Sequence, residues 1–190
     1  MKRIIIPLVL ALIVLASCQT GKVTTALNEK EAGNIKEALE MINNAVDPAN
    51  EKAEKTIDWP RTWEVRGEIY QSIFQSEDPQ VKKLAENPLS EALRSYKKAL
   101  ELDEDDKFSK SVKIKLTLLT NDLTNQAVQA FNEENYENAL NSFENILELQ
   151  DMPVMKEDSP EAVDTVIIFN AGLAAYNAEK YDKAIEYYSE

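Results

Sequence analysis

The sequence predicts an all-α chain built from repeated antiparallel helix hairpins behind an N-terminal address segment. Three observations predict it. From about residue 26 onward, apolar residues recur at spacings of three and four, the period of an amphipathic helix. An alanine followed four residues later by an apolar or aromatic residue occurs four times in similar surroundings. The 190 residues include only 4 Gly and 7 Pro at 44% hydrophobic content, which fits a packed globular chain rather than a low-complexity one.

The chain begins with Lys2 and Arg3 ahead of an apolar run from Ile4 to Ala16. Thirteen residues reach about 20 Å as a helix, short of the roughly 30 Å hydrocarbon core, so the run reads as a secretory signal rather than a span. It ends in Leu15-Ala16-Ser17-Cys18, with the chain's single cysteine last. This ending resembles the lipobox of bacterial lipoproteins. The resemblance implies diacylglycerol transfer to the Cys18 thiol, cleavage after Ser17 and acylation of the new amine. Two or three acyl chains anchor a protein stably where one does so marginally. Residues 1–17 are then the signal peptide, and residues 18–25 the lipidated cysteine and a polar tether. The mature chain carries 19 basic and 34 acidic side chains, net −15. Gln19 follows the cysteine and no acidic cluster comes after it. Within the lipoprotein resemblance this implies a bacterial cell-envelope protein, lipid-anchored in the outer membrane and facing the periplasm. The alternative is an ordinary signal peptide whose cysteine is incidental.

Helical segments follow in order. The four copies of the pattern are Ile35–Ala45, Leu89–Leu102, Tyr136–Leu149 and Tyr181–Glu190, aligned on Ala38, Ala92, Ala139 and Ala184. Three residues before each alanine stand Ile35, Leu89, Tyr136 and Tyr181, and four after it Ile42, Tyr96, Phe143 and Tyr188. Offsets of three, four and seven share one helical face. A partner helix precedes each copy, and in the later three it offers a small residue, Gly67, Ala127 or Gly172, with Tyr70, Phe131 or Tyr176 nearby. A small residue there lets two antiparallel helices approach closely while the aromatic fills the adjoining space.

This spacing resembles the tetratricopeptide repeat (TPR), a helix–turn–helix unit of about 34 residues. The resemblance implies hairpins stacked as a right-handed α-solenoid over residues 26–190, in repeats of approximately 26–50, 60–105, 108–151 and 160–190. Successive alanines lie 54, 47 and 45 residues apart, so the hairpins are divergent. The second is interrupted between its helices by FQSEDPQVKKLAENP, broken by Pro79 and Pro88. Residues Asp151 to Ala162 lengthen the join before the fourth, and the stretch SVKIKLTLLTNDLTNQAVQAF indicates an extended leading helix in the third. Pro48 and Pro153 follow helices; Pro60 and Pro160 suit helix starts. The fourth copy stops one residue short of the position its siblings fill, so a longer protein is expected. A generic helical bundle is the competing architecture.

Composition excludes much chemistry. With no histidine and one cysteine, imidazole acid–base work, the usual nucleophilic triads and ordinary zinc sites are excluded. A net charge of −13 makes nucleic acid a poor partner. The Asp103–Asp106 acidic run fails the calcium-loop pattern, with Phe108 and Ile114 where a glycine and a glutamate are needed, and reads as a helix end and cap. No phosphate-cradling glycine loop exists. No enzyme, no cofactor and no metal site is expected. Trp63, Tyr96, Phe143, Tyr181 and Tyr188 fall at packing positions, whereas Trp59, before Pro60, is a candidate exposed aromatic.

In the family this chain resembles, leading helices line a concave peptide groove. The matching outward positions are Asn125, Val128, Phe131 and Asn132 in the third copy, and Phe169, Asn170, Leu173, Tyr176 and Asn177 in the fourth. An Asn amide both donates to and accepts from an extended peptide backbone; the alternative is solvated surface or local capping. These positions lack paired Lys or Arg, so a basic or neutral peptide is preferred to an acidic tail. The expectation is a membrane-anchored protein-interaction scaffold with protein partners. The alternative is a nutrient- or glycan-capture outer-membrane lipoprotein similar to the starch-utilisation family, with its ligand-binding part beyond Glu190.

Overall fold

The computed structural model describes residues 21–156 and 164–189. Regular structure among them is helical. A helix over residues 21–31 (α1) precedes α2 (Ile35–Asn44), α3 (Pro60–Gln75), a single turn α4 (Pro79–Lys82) and α5 (Pro88–Leu102). Next come α6 (Ser109–Asn132), α7 (Tyr136–Asp151), the short α8 (Pro153–Lys156), α9 (Thr165–Asn177) and α10 (Tyr181–Ser189). The chain divides into two compact units, one up to Phe108 and one from Ser109. Cys18 and the whole address segment lie outside the described residues, as does Pro160. No helix among the described residues is long and apolar enough to cross a membrane.

In the first unit α3 packs on α5, and α2 packs on α3. The core is Ala38, Leu39 and Ile42 from α2, Val65, Ile69 and Ile73 from α3, and Leu89, Ala92, Leu93, Tyr96 and Ala99 from α5. The interruption between α3 and α5 holds the turn α4, and its prolines are starters. Pro79 and Pro88 each open a helix, where a missing N–H costs nothing, and Pro60 does the same for α3. One expectation is corrected at the start of the chain. Residues 21–25, read as polar tether, are helical, because Val23 and Ala26 form an apolar stripe that is buried. Asp103 follows the end of α5 and accepts from the backbone N–H of Lys107 at 3.0 Å and of Phe108 at 2.6 Å, a capping role for the acidic run.

In the second unit α7 packs against both α6 and α9, and α9 pairs with α10. The extended leading helix is present as the 24-residue α6, whose buried stripe is Val112, Leu116, Leu119, Leu123, Ala127 and Ala130. Phe143, Ile146 and Leu149 of α7 complete the core with Ala171, Ala174 and Ala175 of α9.

Three of the inter-helix turns are built alike. Gly33, Glu134 and Glu179 all have positive φ, at 85°, 60° and 61°. In each turn the next N–H bonds to the carbonyl five residues back: Asn34 to Glu29 at 2.8 Å, Asn135 to Ala130 at 2.8 Å and Lys180 to Ala175 at 2.9 Å. The positive-φ residue itself bonds three back, to Lys30, Phe131 and Tyr176. This pair of bonds is the Schellman closure of a helix C-terminus.

Candidate functional site

The aligned alanines are all buried, and in two copies the residue four beyond, Tyr96 or Tyr188, meets the glycine of the partner helix. A Cβ added to Gly67 would lie 2.6 Å from Cδ1 and 2.7 Å from Cζ of Tyr96. One added to Gly172 would lie 2.7 Å from Cε1 and 3.0 Å from Cδ1 of Tyr188. The close approach read from the sequence is thus a contact between ring and bare backbone. The rings differ in cover: Tyr96 is fully buried, but Tyr188 is 49% exposed and Tyr181 54%. The two α10 tyrosines are therefore not the core residues their register implies. Phe169 and Tyr176 of α9 pack on one side of them, at ring-centroid distances of 5.8 and 5.7 Å, and the rest faces outward.

The expected groove residues sit on α6 and α9. On α6, Asn125, Val128 and Asn132 are exposed, at spacings of three and four that continue a stripe begun by Ile114, Leu118 and Asn121. Phe131 is half-buried against the Tyr136 ring, 5.2 Å between centroids. On α9, Phe169 and Tyr176 are 57% exposed and Asn170 and Leu173 are half-buried. Asn125, Asn132 and Asn170 make no side-chain hydrogen bond among the described residues, whereas Asn177 Nδ2 donates to the Leu173 carbonyl at 2.8 Å. α6 and α9 each pack on α7 and are not a major packing pair themselves. The structure brings the residues together as two exposed helix faces of one unit.

A second candidate, in the first unit, was missed in the sequence. Arg66, only 6% exposed, is held by groups from three helices. Its Nε donates to Asn43 Oδ1 (3.1 Å), Nη1 to Ser95 Oγ (2.6 Å), and Nη2 to Glu91 Oε2 (2.9 Å) and Tyr70 Oη (3.3 Å). Its guanidinium lies 4.5 Å from the Tyr70 ring centroid and 5.7 Å from that of Trp63. Beside it opens a cleft of about 500 Å³. Val46 and Trp63 form an apolar wall, and Arg94, Lys97, Lys98 and Glu101 of α5 face them with Arg66. Trp63 is therefore half-buried in a cleft wall, its Nε1 donating to the Ile57 carbonyl at 2.6 Å. Trp59 is half-buried at the N-cap of α3. The signal that could have revealed the cleft is Arg94, Lys97 and Lys98 at offsets of three and four, which place all three on one face of α5.

Comparison of the chain with protein-family models and with curated proteins returns no match.

Proposed function

We propose that this chain is a lipid-anchored protein of the bacterial cell envelope whose folded part is a TPR-like α-solenoid scaffold for protein partners. The observation that carries the repeat reading is the register shared by separate hairpins. The same positive-φ Schellman turn closes three of them, and the same glycine–tyrosine contact recurs in α3/α5 and α9/α10. Stacked hairpins bury a shared core and leave long helix faces open, an arrangement suited to binding. Supporting the peptide-binding role, Asn125, Val128 and Asn132 on α6 and Phe169, Asn170 and Tyr176 on α9 present amides beside apolar side chains. The anchor rests on Leu15-Ala16-Ser17-Cys18.

Two experiments separate the parts of this reading. Labelled fatty acid is incorporated into the wild-type chain and not into Cys18→Ala; persistent labelling of the variant overturns the anchor. Crosslinking of the lipidated protein in envelope membranes yields a reproducible partner that is lost on combining Asn170→Ala with Tyr176→Ala. A partner retained by that double variant counts against the α9 surface.

A further inference from the structure

The cleft beside Arg66 has the wrong charge for its protein. The chain is net −13, yet the cleft draws together Arg66, Arg94, Lys97 and Lys98 against the carboxylates of Glu91 and Glu101. Two of its cations already converge on one carboxylate oxygen. Arg66 Nη2 and Arg94 Nη2 both donate to Glu91 Oε2, at 2.9 and 2.6 Å. Arg66 cannot relax away, because Asn43 of α2 holds its Nε, Ser95 of α5 its Nη1, and Tyr70 of α3 shares Nη2 with Glu91. Arg66 thus fixes Glu91 from beneath, and the charge presented to solvent in the cleft is that of Arg94 and Lys98, with side chains 67% and 42% exposed, beside Lys97.

The remaining geometry points to an extended occupant. The cationic face of α5 runs from Arg94 to Lys98 with Glu101 at its end, about 10 Å along the helix axis. Opposite it stand Val46 and the Trp63 face, which suit one apolar side chain and carry no charge. A point anion such as phosphate uses neither the length nor the apolar wall. We propose that this cleft binds an acidic peptide segment, carboxylates along α5 and an apolar residue against Trp63 and Val46. Such a site is built from α3, α5 and the turn after α2, shares no residue with the α6 and α9 surface, and takes the opposite class of peptide.

The test titrates the full chain, in mild detergent, with a blocked Glu-Glu-Phe-Glu-Glu peptide. Binding is followed by calorimetry and by Trp63 fluorescence in a Trp59→Phe background. The peptide saturates the signal, weakens as salt is raised, and loses about tenfold or more in affinity with Lys97→Glu plus Lys98→Glu, whose unchanged circular dichroism shows a preserved fold. The Asn170→Ala plus Tyr176→Ala variant binds it as wild type, so this result stands or falls separately from the groove. No saturable binding, equal binding of Lys-Lys-Phe-Lys-Lys, or affinity unaffected by the charge reversals overturns the proposal. Tighter competition by inorganic phosphate or by phosphatidylglycerol vesicles than by the acidic peptide overturns it as well.

Discussion

Gly67→Ala tests the closest helix approach in the first unit. The added Cβ would stand 2.6 Å from Tyr96 Cδ1, about 0.8 Å inside the 3.4 Å at which ordinary contact begins. Tyr96 has nowhere to go: its ring is fully buried and its hydroxyl donates to Gln71 Oε1 at 3.1 Å. Relief therefore requires α3 and α5 to move apart, and overpacking of that kind costs about 1–3 kcal/mol. With contacts this short and a ring that cannot move, the cost falls at the upper end, about 2–3 kcal/mol, and the about 0.5–1 kcal/mol that alanine recovers through helix propensity leaves a net loss of about 1–2 kcal/mol. Both tryptophans of the chain, Trp59 and Trp63, lie in the first unit, so urea unfolding followed by their fluorescence reports on that unit alone. Tyr96→Leu in the same chain should remove most of the added cost of Gly67→Ala, a coupling of about 1 kcal/mol. Gly172→Ala meets a ring that is 49% exposed and free to swing, so its loss is smaller and leaves the tryptophan transition unmoved. A neutral Gly67→Ala, or a loss undiminished by Tyr96→Leu, would refute the reasoning.

Glu134 and Glu179 hold the left-handed position that Gly33 fills in the first turn, at φ near 60°; Glu134→Gly should therefore stabilise by about 1 kcal/mol, read from a thermal melt by circular dichroism. Thr62 buries a hydroxyl with no partner among the described residues; Thr62→Val keeps the shape and should raise stability by about 1 kcal/mol in urea, and a loss would mean that the hydroxyl is bonded. The Glu137 carboxyl is held below the ordinary glutamate value by the hydrogen bond from Lys180, then by its charge. Its contribution is present above the unfolded-state value and lost as pH falls through the folded one. An NMR titration of Glu137 should move upward in Lys180→Met, and an unmoved midpoint counts against the pair.

Much of this fold could be read in the sequence because its strongest constraints are local. Ala38, Ala92, Ala139 and Ala184 mark helix faces through spacing alone, and Gly67 and Gly172 mark close approaches that only a missing Cβ allows. The left-handed turns at Glu134 and Glu179 were not legible, since glutamate does not advertise positive φ and the closure is made by backbone bonds. The exposure of Tyr181 and Tyr188 depends on which neighbours cover α10, and register carries no information about that. On α6 and α9, Asn125, Val128, Asn132, Phe169, Tyr176 and Asn177 are outward as their spacing implies, whereas Phe131, Asn170 and Leu173 are half-buried. The Arg66 cleft was not legible: Val46 follows α2, Trp63 and Arg66 lie on α3 and Arg94 on α5, and only packing brings them together.

The Arg66 network also bears on whether that cleft is structural. A buried ion pair broken at one end usually costs about 3–5 kcal/mol, because the surviving charge is stranded. Here no partner is stranded. Glu91 keeps Arg94 at 2.6 Å and is 29% exposed to water. Asn43 Nδ2 already donates to Tyr70 Oη at 3.2 Å, and Ser95 Oγ to the Glu91 carbonyl at 2.7 Å. Every group that Arg66 contacts has a second bond, so Arg66→Met, which preserves much of the packing volume, should cost only about 1–2 kcal/mol. The same change removes the cleft cation that α2, α3 and α5 all bond, and with it the hold on Glu91, so acidic-peptide affinity should fall. A loss above about 4 kcal/mol by tryptophan-detected urea unfolding would instead make Arg66 a structural keystone. Measured side by side, stability and peptide affinity in Arg66→Met separate a guanidinium kept for the fold from one kept for what it binds.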